Sequence, residues 1–168
     1  LSKRLKNYPD PNEILETIGS DSLRWFLVSS PVLKGGNLAV DKEGKEIAKA
    51  SRSALIPLWN AFYFFTLYAN AESYKAKEVY TSNEAIDNYI LSKLKNLADV
   101  ARNGIETYDV AVACNEIASF IEVLNNWYIR RTRDRFWEGD TQAFDVLYTV
   151  LINLCKIAAP LLPFVTEY

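Results

Sequence analysis

Apolar residues recur every three or four positions over most of the chain, the spacing of one face of an α-helix. From about Lys42 a first run carries Ile47, Ala50, Ala54, Leu58, Phe62, Phe65 and Ala69, and Pro57 is expected to kink or divide it. A polar connection follows over 70–82, where Thr81-x-x-Glu84 reads as a capping box for the next helix. That second long helix is expected to reach about Gly104, with Ile90, Leu94, Leu97 and Ala101 buried. A third, from about Asp109, carries Val110, Ala113, Ile117, Phe120, Ile121, Leu124 and Tyr128, and its stripe extrapolates to Arg131 and Arg135. A fourth starts near Asp140-Thr141 with Phe144, Leu147, Leu151, Leu154 and Ile157, is broken by Pro160 and Pro163, and is followed by the start of a further helix.

The first forty residues are patterned differently. Asp10 can cap a short helix with Pro11 in its first position, running to about Ile18 and stopped by Gly19. Ser20-Asp21 opens another, with Leu23, Phe26 and Leu27 on one side, before Pro31 and Gly35-Gly36 make a loop and 37–40 a short extended piece. Together these elements predict a mostly α fold, a helical bundle over 41–168 preceded by a connecting region over 1–40. No internal repeat is visible.

Composition narrows the function. An apolar fraction of 49% with 13% aromatics can fill a substantial core. The net charge of −2, from 19 Lys+Arg against 21 Asp+Glu, argues against coating nucleic acid by bulk electrostatics, so any RNA contact must come from a local patch. Histidine is absent, which excludes Ser-His-Asp and Cys-His catalysis and a histidine-ligated metal within this chain. Cys114 and Cys155 lie far apart in apolar helical patterns and read as small core residues of a reducing compartment, with no metal site expected. There is no charge-free apolar run of about 18 residues and no signal-peptide pattern. The expected location is therefore cytoplasmic, without a membrane partner.

Two stretches could carry chemistry. Leu1-Ser2-Lys3-Arg4-Leu5-Lys6 holds three cations just before the turn cluster Asn7-Tyr8-Pro9-Asp10-Pro11. It is either a frayed basic terminus or the edge of a loop that faces an anion, and lysine suits the latter as a flexible point charge. Between Asn125 and Trp137 there are four arginines and one aspartate. Arg130 and Arg131 stand four and three residues before Asp134 and could pair with it, or answer buried carboxylates on neighbouring helices. Guanidinium groups beside Trp127 and Tyr128 equally suit phosphate contact and base stacking. A third stretch, 58–65, is mostly packing, with Asn60 and Tyr63 presenting polar tips on another face.

These segments resemble a known family. Leu1-Ser2-Lys3-Arg4 is similar to the end of the K-M-S-K-S loop of class I aminoacyl-tRNA synthetases. Asn7-Tyr8-Pro9-Asp10-Pro11 and Gly19-Ser20-Asp21-Ser22-Leu23-Arg24 resemble its K-N-Y-P-D-P and G-A-D-A-L-R, and Ala159-Pro160-Leu161-Leu162-Pro163-Phe164 its A-P-x-x-P-F. The valyl and leucyl members share this layout, but Asn126-Trp127-Tyr128-Ile129-Arg130-Arg131 resembles the N-x-W-Y-I-R-R of the isoleucyl member. The resemblance implies an anticodon-binding helical bundle with tRNA as partner, and Asn126, Trp127, Arg130 and Arg131 on its RNA-binding motif. It implies that Lys3, with Ser2 and Arg4, serves ATP in the intact enzyme, whose catalytic domain precedes Leu1 in the same chain. Read this way, the chain is cut at both ends and is catalytically inactive alone. Two departures stand out. Tyr63 occupies a position where relatives have the arginine of W-N-A-x-R-F, and H-I-G-H is missing.

Overall fold

Asp10 begins the described fold with a side-chain cap: its carboxylate accepts the Asn12 N–H at 2.9 Å, and Pro11 takes the first position of α1 (Pro11–Thr17). The computed structural model describes residues 9–38, 40, 41 and 43–167. Gly19, at φ 95°, turns the chain into α2 (Ser20–Ser29). The buried face of α2 is Asp21, Ser22 and Trp25, and not the expected side of Leu23, Phe26 and Leu27; Leu27 is exposed. The reason lies at the far end of the chain. The Asp21 carboxylate accepts the N–H groups of Phe164 (3.1 Å) and Val165 (2.8 Å), while Arg24 donates to the carbonyls of Pro160 (2.8 Å) and Leu161 (3.2 Å). This double grip fixes the rotation of α2, and Trp25, one turn after Asp21, is driven into the core.

A 3-10 turn, Pro31–Lys34, follows, and no strand forms at 37, 38 or 40, where a short extended piece was expected. The first long run is indeed divided, into α3 (Lys45–Ser53) and α4 (Leu55–Ala71), but at Ala54 (φ −135°, ψ −56°) rather than at Pro57. Pro57 is the third residue of α4, where a backbone N–H has no intrahelical acceptor to lose. The break also rotates the stripe. Ala61 is fully buried, whereas Phe62 is exposed and helps line an apolar groove with Trp59, Phe65, Tyr148 and Cys155.

Helix α5 (Ala85–Glu106) buries Ile90, Leu94, Leu97 and Ala101, as its period requires. Its start is organised by Ser82 and not by a Thr81–Glu84 box. The Ser82 hydroxyl accepts the Glu84 N–H (3.1 Å) and donates to Asp87 (2.7 Å). Helix α6 (Val110–Val123) passes close to α5 at Gly104, where a Cβ would stand 3.0 Å from the Asp109 carbonyl and 3.3 Å from the Ala113 nitrogen. After the arginine-rich helix α7 (Arg130–Trp137), Asp140 caps α8 (Thr141–Ala158), the most deeply buried helix, at 2.9 Å to the Gln142 N–H. The segment before α5 is stitched to α8 through Tyr74 and Lys77 on Asp145 and Val79 on Thr149. Helix α9 (Pro163–Glu167) follows α8 after the turn at Ala159–Leu162. One buried cluster joins Trp25, Leu58, Ile117, Phe136 and Phe144. Among the described residues the architecture is helical throughout, as the periodicity predicts.

Candidate nucleic-acid interface

Helices α6 and α7 form one continuous rod, but Leu124–Ile129 between them is wound as a π-helix. A π turn holds one residue more than an α turn, so everything after it slips on by one position relative to the core. The stripe of Leu124 and Tyr128 therefore continues through Thr132 and Phe136, both buried, and not through Arg131 and Arg135. Arg131 is exposed. The wide turn is held from both sides. The Asn125 side-chain amide donates to the carbonyls of Ile121 (2.9 Å) and Pro57 (3.1 Å), and the Thr132 hydroxyl donates to the Tyr128 carbonyl (2.8 Å).

Arg135 lands at the edge of the core and reaches Asp87 of α5, which is fully buried. Its guanidinium fork donates to both Asp87 oxygens at 2.8 and 3.0 Å, and its Nε donates to Asp140 at 2.8 Å. Asp87 also accepts the Tyr128 hydroxyl at 2.8 Å. Burial, reinforced by the Asp87 charge, pushes the Tyr128 phenol well up, so it stays a donor. The hydrogen bond to Asp87 raises Arg135 further still. Burial works against ionisation of Asp140, but the bond and charge of Arg135 outweigh it and hold that carboxyl below its ordinary value.

This network separates two readings that the sequence left open. Arg135 is structural. Asp134 is exposed and pairs with neither Arg130 nor Arg131, and Arg130, Arg131 and Arg133 make no ion pair within 4 Å among the described residues. Their side chains leave the rod as an exposed cationic ridge. Asn126 and Trp127 at its base each stand four residues before one of the arginines, and the two pairs flank opposite neighbours. Trp127 is half-buried, with the Arg131 guanidinium 5.4 Å from its ring and the Tyr89 ring of α5 at 4.7 Å. Asn126 is exposed and lines a polar cleft of about 720 Å³ with Arg52, Asn60, Asn115 and Ser119. Tyr63 is 61% exposed.

Cations beside an indole and a cleft of amides can hold phosphates, stack a base and offer donors and acceptors to its edge. No cluster of three or more metal-ligating side chains occurs among the described residues, and no described helix is long and apolar enough to cross a membrane. Ser2, Lys3 and Arg4 lie outside the described residues. Sequence reading missed Asp87, Tyr89, Lys93 and Asn115. Asp87 meets Tyr128 and Arg135, and Tyr89 meets Trp127, from roughly 40 or more residues away, and no local pattern signals such a pairing.

Residues 87–168, from the buried Asp87 through the ridge to the end of the chain, match the family model of the anticodon-binding domain of tRNA ligase. The helices from α5 onward form a domain of that class. Over 99% of its length, the chain is 48% identical to the isoleucine--tRNA ligase of Leifsonia xyli subsp. xyli and 44% identical to that of Wolbachia pipientis wMel. It belongs to the isoleucine--tRNA ligase family. The chain spans 15% and 16% of the length of those two relatives. Its fold also resembles that of Agrobacterium radiobacter K84 agnB2 LeuRS, solved in a ternary complex with tRNA and LeuAMS. The TM-score is 0.71 at 22% identity, over 99% of this chain and 20% of that one.

Proposed function

We propose that this domain docks the anticodon stem and loop of an isoleucine-accepting tRNA on the ridge of Asn126, Trp127, Arg130 and Arg131. One observation carries the reading: of the four arginines of α7 only Arg135 pairs with carboxylates, those of Asp87 and Asp140, which leaves Arg130, Arg131 and Arg133 exposed and without an acidic partner among the described residues in a chain of net charge −2. Exposed guanidinium groups that hold no structural partner are free for phosphates. In the whole ligase, the same reading has isoleucine activated with ATP and transferred to the tRNA in the cytoplasm. Lys3 there serves the pyrophosphate side of ATP, Ser2 and Arg4 complete its loop, and the catalytic domain precedes Leu1. The residues over 1–40 connect that domain to the bundle over 41–168.

The test is a titration of isoleucine tRNA transcript against the chain and its Arg130→Ala/Arg131→Ala variant, at about 50 and about 200 mM salt. Binding is expected to be weak and salt-sensitive, and the variant weaker with a shallower salt slope by about 1–2. Unchanged affinity together with lowered thermal stability would make both arginines structural and overturn the reading. The chain alone is expected to catalyse no isoleucine-dependent pyrophosphate exchange.

A further inference from the structure

The Trp127–Arg131 pair does not stand alone. Tyr89 of α5 lies against Trp127 with ring centroids 4.7 Å apart, and Lys93, one helical turn further, places its Nζ 5.7 Å from the Tyr89 ring centroid. Four side chains from two helices thus form one ladder, cation–ring–ring–cation, running from Lys93 through Tyr89 and Trp127 to Arg131. Its outer members are open. Tyr89 is 44% exposed, and Lys93 and Arg131 are exposed.

Neither cation has an acidic partner within 4 Å among the described residues, and the Tyr89 hydroxyl makes no hydrogen bond among them. The α5 face itself, Ala85, Tyr89, Lys93, Asn96 and Val100, carries no carboxylate. Two flat rings bracketed by unpaired cations are what a single-stranded nucleic acid requires: a π-face for a base and positive charge for the phosphates on either side.

We propose that Tyr89 and Lys93 extend the RNA-binding face onto α5, with Tyr89 stacking an unpaired nucleobase and Lys93 meeting a phosphate beside it. This rests on the ridge reading above and adds two residues that no motif of the chain pointed to. Because a ring face accepts any base, this subsite contributes affinity and register rather than base identity.

The test uses the 168-residue chain with isoleucine tRNA transcript, and with a hairpin transcript of its anticodon stem and loop, at about 50 mM salt. Tyr89→Leu keeps an apolar contact with Trp127 but removes the stacking surface, and is expected to weaken binding about 5- to 150-fold, the range for one stacked base. Tyr89→Phe should bind as the parent does. Lys93→Ala should make the slope of log affinity against log salt shallower by about 0.7–0.9, one phosphate contact. Thermal unfolding of each variant keeps folding and binding apart, and Lys93→Ala removes an exposed side chain that buries nothing in the core. Arg130→Ala/Arg131→Ala serves as the reference. If it loses binding while Tyr89→Leu and Lys93→Ala do not, the ridge stands and its extension is overturned. If all three variants bind as the parent does, or the parent binds neither RNA, the ridge reading fails and takes the extension with it. A Tyr89→Leu variant with lowered melting temperature and unaltered affinity also overturns the extension.

Discussion

Replacing Arg135 by alanine should destabilise this domain far more than removal of any other arginine of its helix. The variant loses three charge-assisted hydrogen bonds, at 2.8 and 3.0 Å to Asp87 and 2.8 Å to Asp140. It leaves Asp87, with no exposed side-chain surface, holding its charge against only the Tyr128 and Ser82 hydroxyls. Stranding one member of a buried pair costs about 3–5 kcal/mol, whereas a typical exposed pair is worth about 0–1 kcal/mol. Arg135 is 20% exposed and water reaches it, so the lower end applies. About 3 kcal/mol corresponds to a fall of about 6–12 °C in melting temperature for a chain of this size. Thermal and urea unfolding followed by circular dichroism would read it. Asp87→Asn in the same molecule removes the stranded charge, so the double variant should be less destabilised than the two single losses summed, by about 1–3 kcal/mol. A loss below about 1 kcal/mol for Arg135→Ala, or additivity within about 0.5 kcal/mol, would refute the network as a cooperative unit.

Two further outcomes can be checked in the same assays. Gly104→Ala gains about 1 kcal/mol of helix propensity, yet its Cβ would press on the backbone of Asp109 and Ala113, which cannot swing aside. It should lower the melting temperature, and a stabilised variant would show that α5 and α6 do not approach closely there. Asp140, held below the ordinary aspartate value by Arg135, contributes stability that is present above about pH 4 and lost as pH falls through its lowered pKa. Asp140→Asn keeps a good N-cap but loses the ion pair. It should be less stable than the parent at pH 7, with the gap closing towards about pH 2; a gap independent of pH would contradict this.

Helices with a strong period were legible from the chain alone. The stripe Ile90, Leu94, Leu97 and Ala101 of α5, the stripe Phe144, Leu147, Leu151 and Leu154 of α8 and the start of α8 at Asp140 follow from spacing and local chemistry, whereas α8 buries Asp145, Val146, Thr149 and Val150 as well and leaves Ile157 half-buried. What escaped was rotation. The face of α2 is set by Asp21 reaching a turn more than 140 residues away, and the face of α4 by a break at Ala54 that no residue type announces. The one-residue slip at 124–129 moved Arg131 from an extrapolated core stripe to the surface and gave its place to Thr132. The motif thus marked the right segment of the rod. Which of its arginines were available depended on Asp87, whose role shows only once α5 and α7 are packed.

The grip of α2 on the turn before α9 has a consequence for synthesis on the ribosome. A chain emerges from its N-terminus, and domains generally fold as they appear. Here the Asp21 carboxylate stays without its backbone donors until Phe164 and Val165 have been made, and Arg24 waits equally long for the carbonyls of Pro160 and Leu161. The first helices can form early but cannot lock. Helix α2 can pack on α3 and α6 as they emerge, so the late grip locks an arrangement that is already begun.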